Sequence, residues 1–208
     1  MPRTRVKFCG ITNVEDALAA AHFGADAIGL VFYPPAATAM DIPSAAAIVR
    51  ALPPFITPVA LFVNAKAAVI KEVITTVRPA LLQFHGDESA EECAQYGVPY
   101  IKACRARDRQ AVAETLAEHS EQACGLLLDA AVKGQYGGSG QLFDWNLIPK
   151  ESPLRLIVAG GLTAATVGDL IRHHQPFAVD VSSGIAVDDK RRKNWDKMRK
   201  FMETINNA

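Results

Sequence analysis

Followed for its alternation of apolar and polar positions, the chain falls into a repeated pair of segments. Short, nearly continuous apolar runs recur at Val6–Ile11, Ala27–Tyr33, Pro58–Asn64, Ala80–Gly86, Tyr100–Arg105, Gly125–Ala130, Leu156–Gly161 and Phe177–Ser182. Runs of this length without strict alternation are the pattern of strands covered on both faces. Stretches with helical period lie between them. In the first, Val14, Leu18 and Ala21 share a face, Asn13 or Thr12 offers an N-cap, Glu15 and Asp16 fill the first turn and Gly24 follows the end. Ile42-Pro43-Ser44 opens the next helix, Asp87-Glu88-Ser89 a later one, and Thr163–His174 joins the last two strands. Strand and helix alternate with no break that reads as a linker. The pattern predicts a single α/β domain over residues 1–208, a closed (β/α)8 TIM barrel. A doubly wound open sheet would carry a Gly-rich turn after its first strand, and Cys9-Gly10-Ile11-Thr12 is not one.

The ends of the last two apolar runs carry the strongest chemical signal. Leu154–Gly161 and Phe177–Gly184 both stop abruptly in Gly or Ser. In a (β/α)8 barrel the loops after strands 7 and 8 commonly bind phosphate through backbone N–H groups. Glycine lets the backbone approach an anion closely, and serine hydroxyls add donors. Gly161, Ser183 and Gly184 are therefore the candidate phosphate-binding residues.

Polar residues inside otherwise apolar strands are the next signal. Side chains two apart on a strand point the same way, which pairs Lys7 with Cys9, Gln83 with His85, and Asp180 with Ser182. A charge on a doubly covered strand is costly unless it faces the wet mouth of the barrel. Cys9, His85, Asp129 and Asp180 sit at or near the C-terminal ends of their strands, where catalytic residues of this fold lie. Cysteine alone more often fills a core, the reading adopted for Cys93, Cys104 and Cys124. His85 reads equally as a hydrogen-bonded wall residue or a substrate contact. The Gly-rich stretch Ala130–Gln141 reads as a cover over the site next to Asp129. His173 and His174 end a helix, where imidazole suits the dipole. Lys190-Arg-Arg-Lys193 reads as a solvated run before the last helix.

Composition narrows the class. Half of the 208 residues are apolar, and 22 Lys+Arg balance 22 Asp+Glu. That neutrality gives no electrostatic reason to expect nucleic acid or an anionic membrane as partner. The four cysteines lack CxxC or Cys/His ligand spacing, so no metal is expected and free thiols in a reducing compartment fit. The N-terminus has no signal-like apolar region, and a cytoplasmic protein is expected.

At this point several motifs, in order, resemble one family. They are Lys7-Phe-Cys-Gly-Ile-Thr12, Leu61-Phe-Val-Asn64, Gln83-Phe-His-Gly-Asp-Glu88, Leu128-Asp-Ala130, Gly137-Gly-Ser-Gly140 with Phe143-Asp-Trp145, Ala159-Gly-Gly-Leu-Thr163 and Val179-Asp-Val-Ser-Ser-Gly184. The set is similar to phosphoribosylanthranilate isomerase. The resemblance implies the Amadori rearrangement of N-(5′-phosphoribosyl)anthranilate in tryptophan biosynthesis, with no metal or organic cofactor. It implies Cys9 as general base and Asp129 as general acid, with His85 and Asp180 lining the pocket of a small phosphosugar substrate. Lys7, on the same strand face, is expected to favour the Cys9 thiolate.

The chain also departs from that family. Thr38, in Pro34-Pro-Ala-Ala-Thr-Ala-Met40, stands where the family carries an arginine that meets the anthranilate carboxylate. Ala186-Val-Asp-Asp-Lys190 replaces an acidic residue and a Gly-x-Lys-Asp stretch. Arg105 or Arg107 is the cation the sequence offers instead. A different phosphosugar isomerase and a non-catalytic phosphate-binding barrel remain as alternatives. A monomer or a homodimer is expected.

Overall fold

The computed structural model describes residues 3–130 and 143–208. Eight parallel strands close on themselves in sequence order. They are β1 (Arg5–Cys9), β2 (Ala27–Val31), β3 (Thr57–Phe62), β4 (Leu81–Phe84), β5 (Tyr100–Ala106), β6 (Gly125–Ala130), β7 (Arg155–Val158) and β8 (Ala178–Val181). The barrel closes where β1 pairs with β8, setting Lys7 against Asp180. The helices are α1 (Val14–His22), α2 (Ile42–Ala51), α3 (Ala67–Val77), α4 (Ala90–Ala94), α5 (Arg109–His119), α6 (Val167–His174) and α7 (Trp195–Asn206). Among the described residues, the stretch after β6 holds a 3-10 turn, Trp145–Leu147, in place of a full helix. The Gly-rich cover expected at 130–141 lies, beyond Ala130, outside the described residues.

Local chemistry sets these boundaries. Asn13, not Thr12, caps α1, its side chain accepting the Asp16 N–H. Asp41 caps α2 with a proline in the first turn. Ser89 and Glu92 form a reciprocal capping box on α4, so that helix begins after Ser89, and Asp87 and Glu88 stay in the preceding loop. The expected helix at 163–174 starts later, at Val167, because Thr163 to Thr166 form a turn held by Thr166 Oγ1. No helix among the described residues is long and apolar enough to cross a membrane.

The two faces of the strands bury different things. Phe8, Ile28, Leu30, Phe62, Phe84, Leu126 and Val179 point out against the helices and form the main core. Ile101, Ala103, Leu127, Ile157 and Ala178 fill the inside on the β5–β8 side. At the bottom, Arg5 and Arg155 lay their guanidinium groups over the Phe177 ring, 4.5 and 5.3 Å from its centroid. Cys9, Val31, Leu61 and Val63, with Tyr33 and Ala36, make a separate apolar patch on the β1–β3 side.

Asp16, on α1, is fully buried and binds the far end of the chain. Its carboxylate accepts the Lys193 N–H at 2.9 Å, Trp195 Nε1 at 2.8 Å and Asn13 Nδ2 at 2.8 Å. Asp16→Ala leaves these donors without that buried acceptor and should destabilise the fold by about 3 kcal/mol, with Asp16→Asn losing less. Urea unfolding followed by tryptophan fluorescence reads the difference, since Trp195 reports on the same contact.

Candidate active site

Cys9 ends β1 and turns inward together with Lys7, two residues earlier. Gly29, opposite on β2, makes the room: a Cβ there would stand 2.7 Å from Cys9 Sγ and 3.0 Å from Lys7 Nζ. Lys7 donates to Asp180 Oδ1 at 2.9 Å, both groups being buried. Burial pulls the Lys7 ammonium toward its neutral form, but Asp180 and then Cys9 outweigh that, and its pKa lies above the ordinary lysine value. Cys9 balances the other way. Burial pushes the thiol up; Lys7 is the largest influence pulling it down, Asp180 adds to the rise, and the result is a raised pKa. The expected help from Lys7 is therefore present in direction and outweighed in size.

Asp129 is the penultimate residue of β6. Its Oδ1 accepts the Ala130 N–H at 2.8 Å, and its Oδ2 lies 3.3 Å from His85 Nε2. That approach is close enough for a charge contact without the alignment of a hydrogen bond. On its other side, His85 Nδ1 sits 3.0 Å from the fully buried Gln83 amide nitrogen. An amide can donate to Nδ1 or, turned over, accept from it, so the ring can hold its proton on either nitrogen. His85 is thus a hydrogen-bonded wall residue whose remaining edge faces Asp129.

The loop carrying His85 is held by residues of the same motif. Glu88 accepts the Asn64 N–H at 2.7 Å, the Gly86 N–H at 2.9 Å and Lys102 Nζ at 2.9 Å. Lys102 also donates to the Gly86 carbonyl at 2.9 Å. Gly86 is obligatory, since a Cβ would meet Asn64 Oδ1 at 2.3 Å. Asn64 and Glu88 therefore position the site from outside it.

The two glycine turns meet at the mouth. Gly160 and Gly161 have φ of 82° and 63°, a left-handed region that favours glycine. A Cβ on Gly184 would lie within 1.9 Å of the Leu162 carbonyl oxygen, so the turns after β7 and β8 pack in direct contact. Ser183–Ile185 forms a 3-10 turn whose leading N–H groups have no partner within the turn, which suits an anion. Gly161, Ser183 and Gly184 thus share one corner of the mouth.

Three sequence expectations change. Lys193 is buried, not solvated: its Nζ reaches the Ser182 carbonyl at 3.3 Å and Ser182 Oγ at 3.4 Å, and its charge acts on Cys9. Burial pulls its own pKa down. Arg105, offered as a substitute cation, donates to Asp87 at 2.5 Å, and Arg107 is exposed beside Asp108. Cys93 and Cys104 are buried as expected, whereas Cys124 is exposed. Among the described residues no cluster of His, Cys, Asp or Glu could hold a metal.

A closed barrel with ionisable groups gathered at its C-terminal mouth, beside two glycine turns shaped for an anion, is the layout of a barrel enzyme for an anionic substrate. The comparisons are more specific. The family model described as N-(5′phosphoribosyl)anthranilate (PRA) isomerase matches residues 6–204, and the chain belongs to that family. It is 49% identical to the N-(5′-phosphoribosyl)anthranilate isomerase of Pseudomonas paraeruginosa over 205 residues, covering 99% of this chain and 96% of that protein. It is similar to the crystal structure of phosphoribosyl anthranilate isomerase from Thermotoga maritima, with TM-score 0.89 and 35% identity over 99% of this chain and 100% of that one. A second phosphoribosyl anthranilate isomerase structure, in complex with reduced 1-(o-carboxyphenylamino)-1-deoxyribulose 5-phosphate, matches with TM-score 0.86 and 35% identity, covering 99% and 100% of the two chains.

Proposed function

We propose that the chain converts N-(5′-phosphoribosyl)anthranilate into 1-(2-carboxyphenylamino)-1-deoxyribulose 5-phosphate, a step of tryptophan biosynthesis, with Cys9 as base and Asp129 as acid. The observation that carries the assignment of roles is their placement at the ends of β1 and β6 in one mouth, with the glycine turns of β7 and β8 beside them. The phosphate rests on Gly161, Ser183 and Gly184, fixing one end of the substrate.

Asp129, holding a proton, gives it to the ribose ring oxygen. The C1′–O4′ bond breaks and the nitrogen lone pair forms the C1′=N double bond of a Schiff base. Cys9, as thiolate, removes the C2′ proton; its electrons form C1′=C2′ and the C=N pair returns to nitrogen. A proton then adds at C1′ and another leaves O2′, giving the ketone. Taken from the thiol and accepted by the carboxylate, these transfers restore both groups. Only protons move, so the chemistry calls on no cofactor. His85, backed by Gln83, faces Asp129 Oδ2 and can hold or return the proton there. Asp180 neutralises Lys7 and turns the remaining donors of that ammonium toward Cys9. A cytoplasmic location accompanies this reading.

The test is turnover of freshly made N-(5′-phosphoribosyl)anthranilate, followed by loss of its fluorescence. Turnover at enzymic rate is expected. No turnover by a folded chain that still binds phosphosugars would sink the assignment and return the choice to another phosphosugar isomerase or a binding barrel.

A further inference from the structure

We propose that Arg191 determines specificity by binding the aryl carboxylate of the substrate, from the loop after β8. This rests on the isomerase reading above. That substrate has two anionic ends, and the glycine turns account for one. With phosphate at the β7–β8 corner and C2′ at Cys9 on β1, the aryl group extends past β1 toward β2 and β3. The apolar patch lies there: Val31, Leu61 and Val63, with Tyr33 and Ala36, adjoin Cys9. An aromatic ring fits that wall, and its carboxylate needs a cation at the rim.

Arg191 is that cation. Its Nη1 donates to the Ala37 carbonyl at 3.1 Å and the Ala39 carbonyl at 3.2 Å, straddling Thr38. Both Nη1 hydrogens are thereby used, leaving the donors on Nε and Nη2 for a carboxylate. Thr38 itself lies against the site, its side-chain atoms 3.0 and 3.1 Å from where a Gly10 Cβ would be. The backbone of Arg191 is fixed as well: its carbonyl accepts from Thr12 Oγ1, and its N–H donates to Asp189 Oδ1 at 2.9 Å. The loop it grips is pinned to β2 by the Met40 N–H on the Val31 carbonyl at 2.9 Å.

The cations nearest the site from the other strands are committed. Lys7 is paired with Asp180, Arg105 with Asp87, and Lys193 is bound to Ser182 on the phosphate side of Cys9. Among the described residues no carboxylate lies within ion-pair distance of Arg191. The acid that feels its charge, Asp41, is already occupied with the Ser44 N–H. The Arg191 guanidinium is thus anchored to the carbonyls on either side of Thr38.

The experiment measures calorimetric affinity for two ligands: reduced 1-(o-carboxyphenylamino)-1-deoxyribulose 5-phosphate, and the same compound with a plain phenyl ring. The parent should prefer the carboxylate by about 10- to 100-fold. Arg191→Met should bring that ratio near one while leaving affinity for the phenyl compound unchanged. Arg191→Lys should fall between, having no planar fork. Thr38→Arg added to Arg191→Met should restore the preference. In turnover, Arg191→Met should raise KM by a similar factor and leave kcat within a few-fold. A ratio unchanged in Arg191→Met, or one abolished instead by Lys193→Met, overturns the proposal. A parent that discriminates between the ligands but does not isomerise would sink the isomerase reading and leave this one standing.

Discussion

Asp129→Asn should lower kcat by about three to four orders of magnitude, with the fold intact. The reason lies in what the amide cannot do. Ring opening needs a proton delivered to the sugar oxygen as the C1′–O4′ bond breaks, and an asparagine has none to give at that acidity. The Ala130 N–H that now binds Oδ1 can still bind the amide oxygen, so the side chain should keep its place. His85 should then face an NH2 where it faced Oδ2, which breaks the proton exchange with the Gln83–His85 pair. Stopped-flow fluorescence of the substrate, with Kd measured separately on the reduced product analogue, distinguishes lost chemistry from lost binding. A fall confined to KM would remove Asp129 from the role of acid.

Cys9→Ala should be comparably severe, because C2′ then faces a methyl group and no base. The parent enzyme carries the sharper test. Burial raises the Cys9 thiol above its ordinary value against the pull of Lys7, so at neutral pH only a small fraction is thiolate. The sign for the base follows directly: the thiolate gains as pH rises, so the reactivity of Cys9 itself should climb with a slope near one through neutrality and beyond, whereas kcat/KM follows the product of Cys9 thiolate and protonated Asp129. A Cys9 reactivity profile already flat at pH 7 would mean that the thiolate is formed there. Lys7→Met should move the limb to still higher pH, since it removes the largest influence favouring the thiolate. Alkylation of Cys9, followed by peptide mass spectrometry, reads the same titration without substrate and separates it from exposed Cys124.

The barrel was legible in the sequence because doubly covered strands leave a direct trace: short apolar runs cannot be much else when helical stretches separate them. Polar positions at the mouth were equally legible, since a charge such as Asp129 or Asp180 in an apolar run has few places to go. Boundaries were less so. β1 begins at Arg5 and ends at Cys9, where the apolar pattern runs on to Ile11, because pairing with β2 and β8 stops before the apolar residues do. Lys193 could not be read correctly, because the burial of an ammonium is made tolerable by contacts remote in sequence. Its backbone is tied to Asp16, 177 residues away, and its Nζ to Ser182. Nor could Asn64 and Glu88 be assigned as a brace for the His85 loop, since that depends on β3 and β4 being neighbours. Arg105 shows the converse: position on a strand end is visible, but the partner that neutralises it is not.

The pairing of Lys7 with Asp180 also has a meaning in time. The two residues are 173 positions apart, the one on the first strand made and the other on the last. A growing chain that has not yet reached β8 has no anion to place beside Lys7, and enclosing that ammonium alone costs several kcal/mol. Closure over the first strand is therefore disfavoured until the eighth arrives. Fragments ending before Asp180 should accordingly remain loose and prone to proteolysis, however many strands they contain, and order should come in one late, cooperative step.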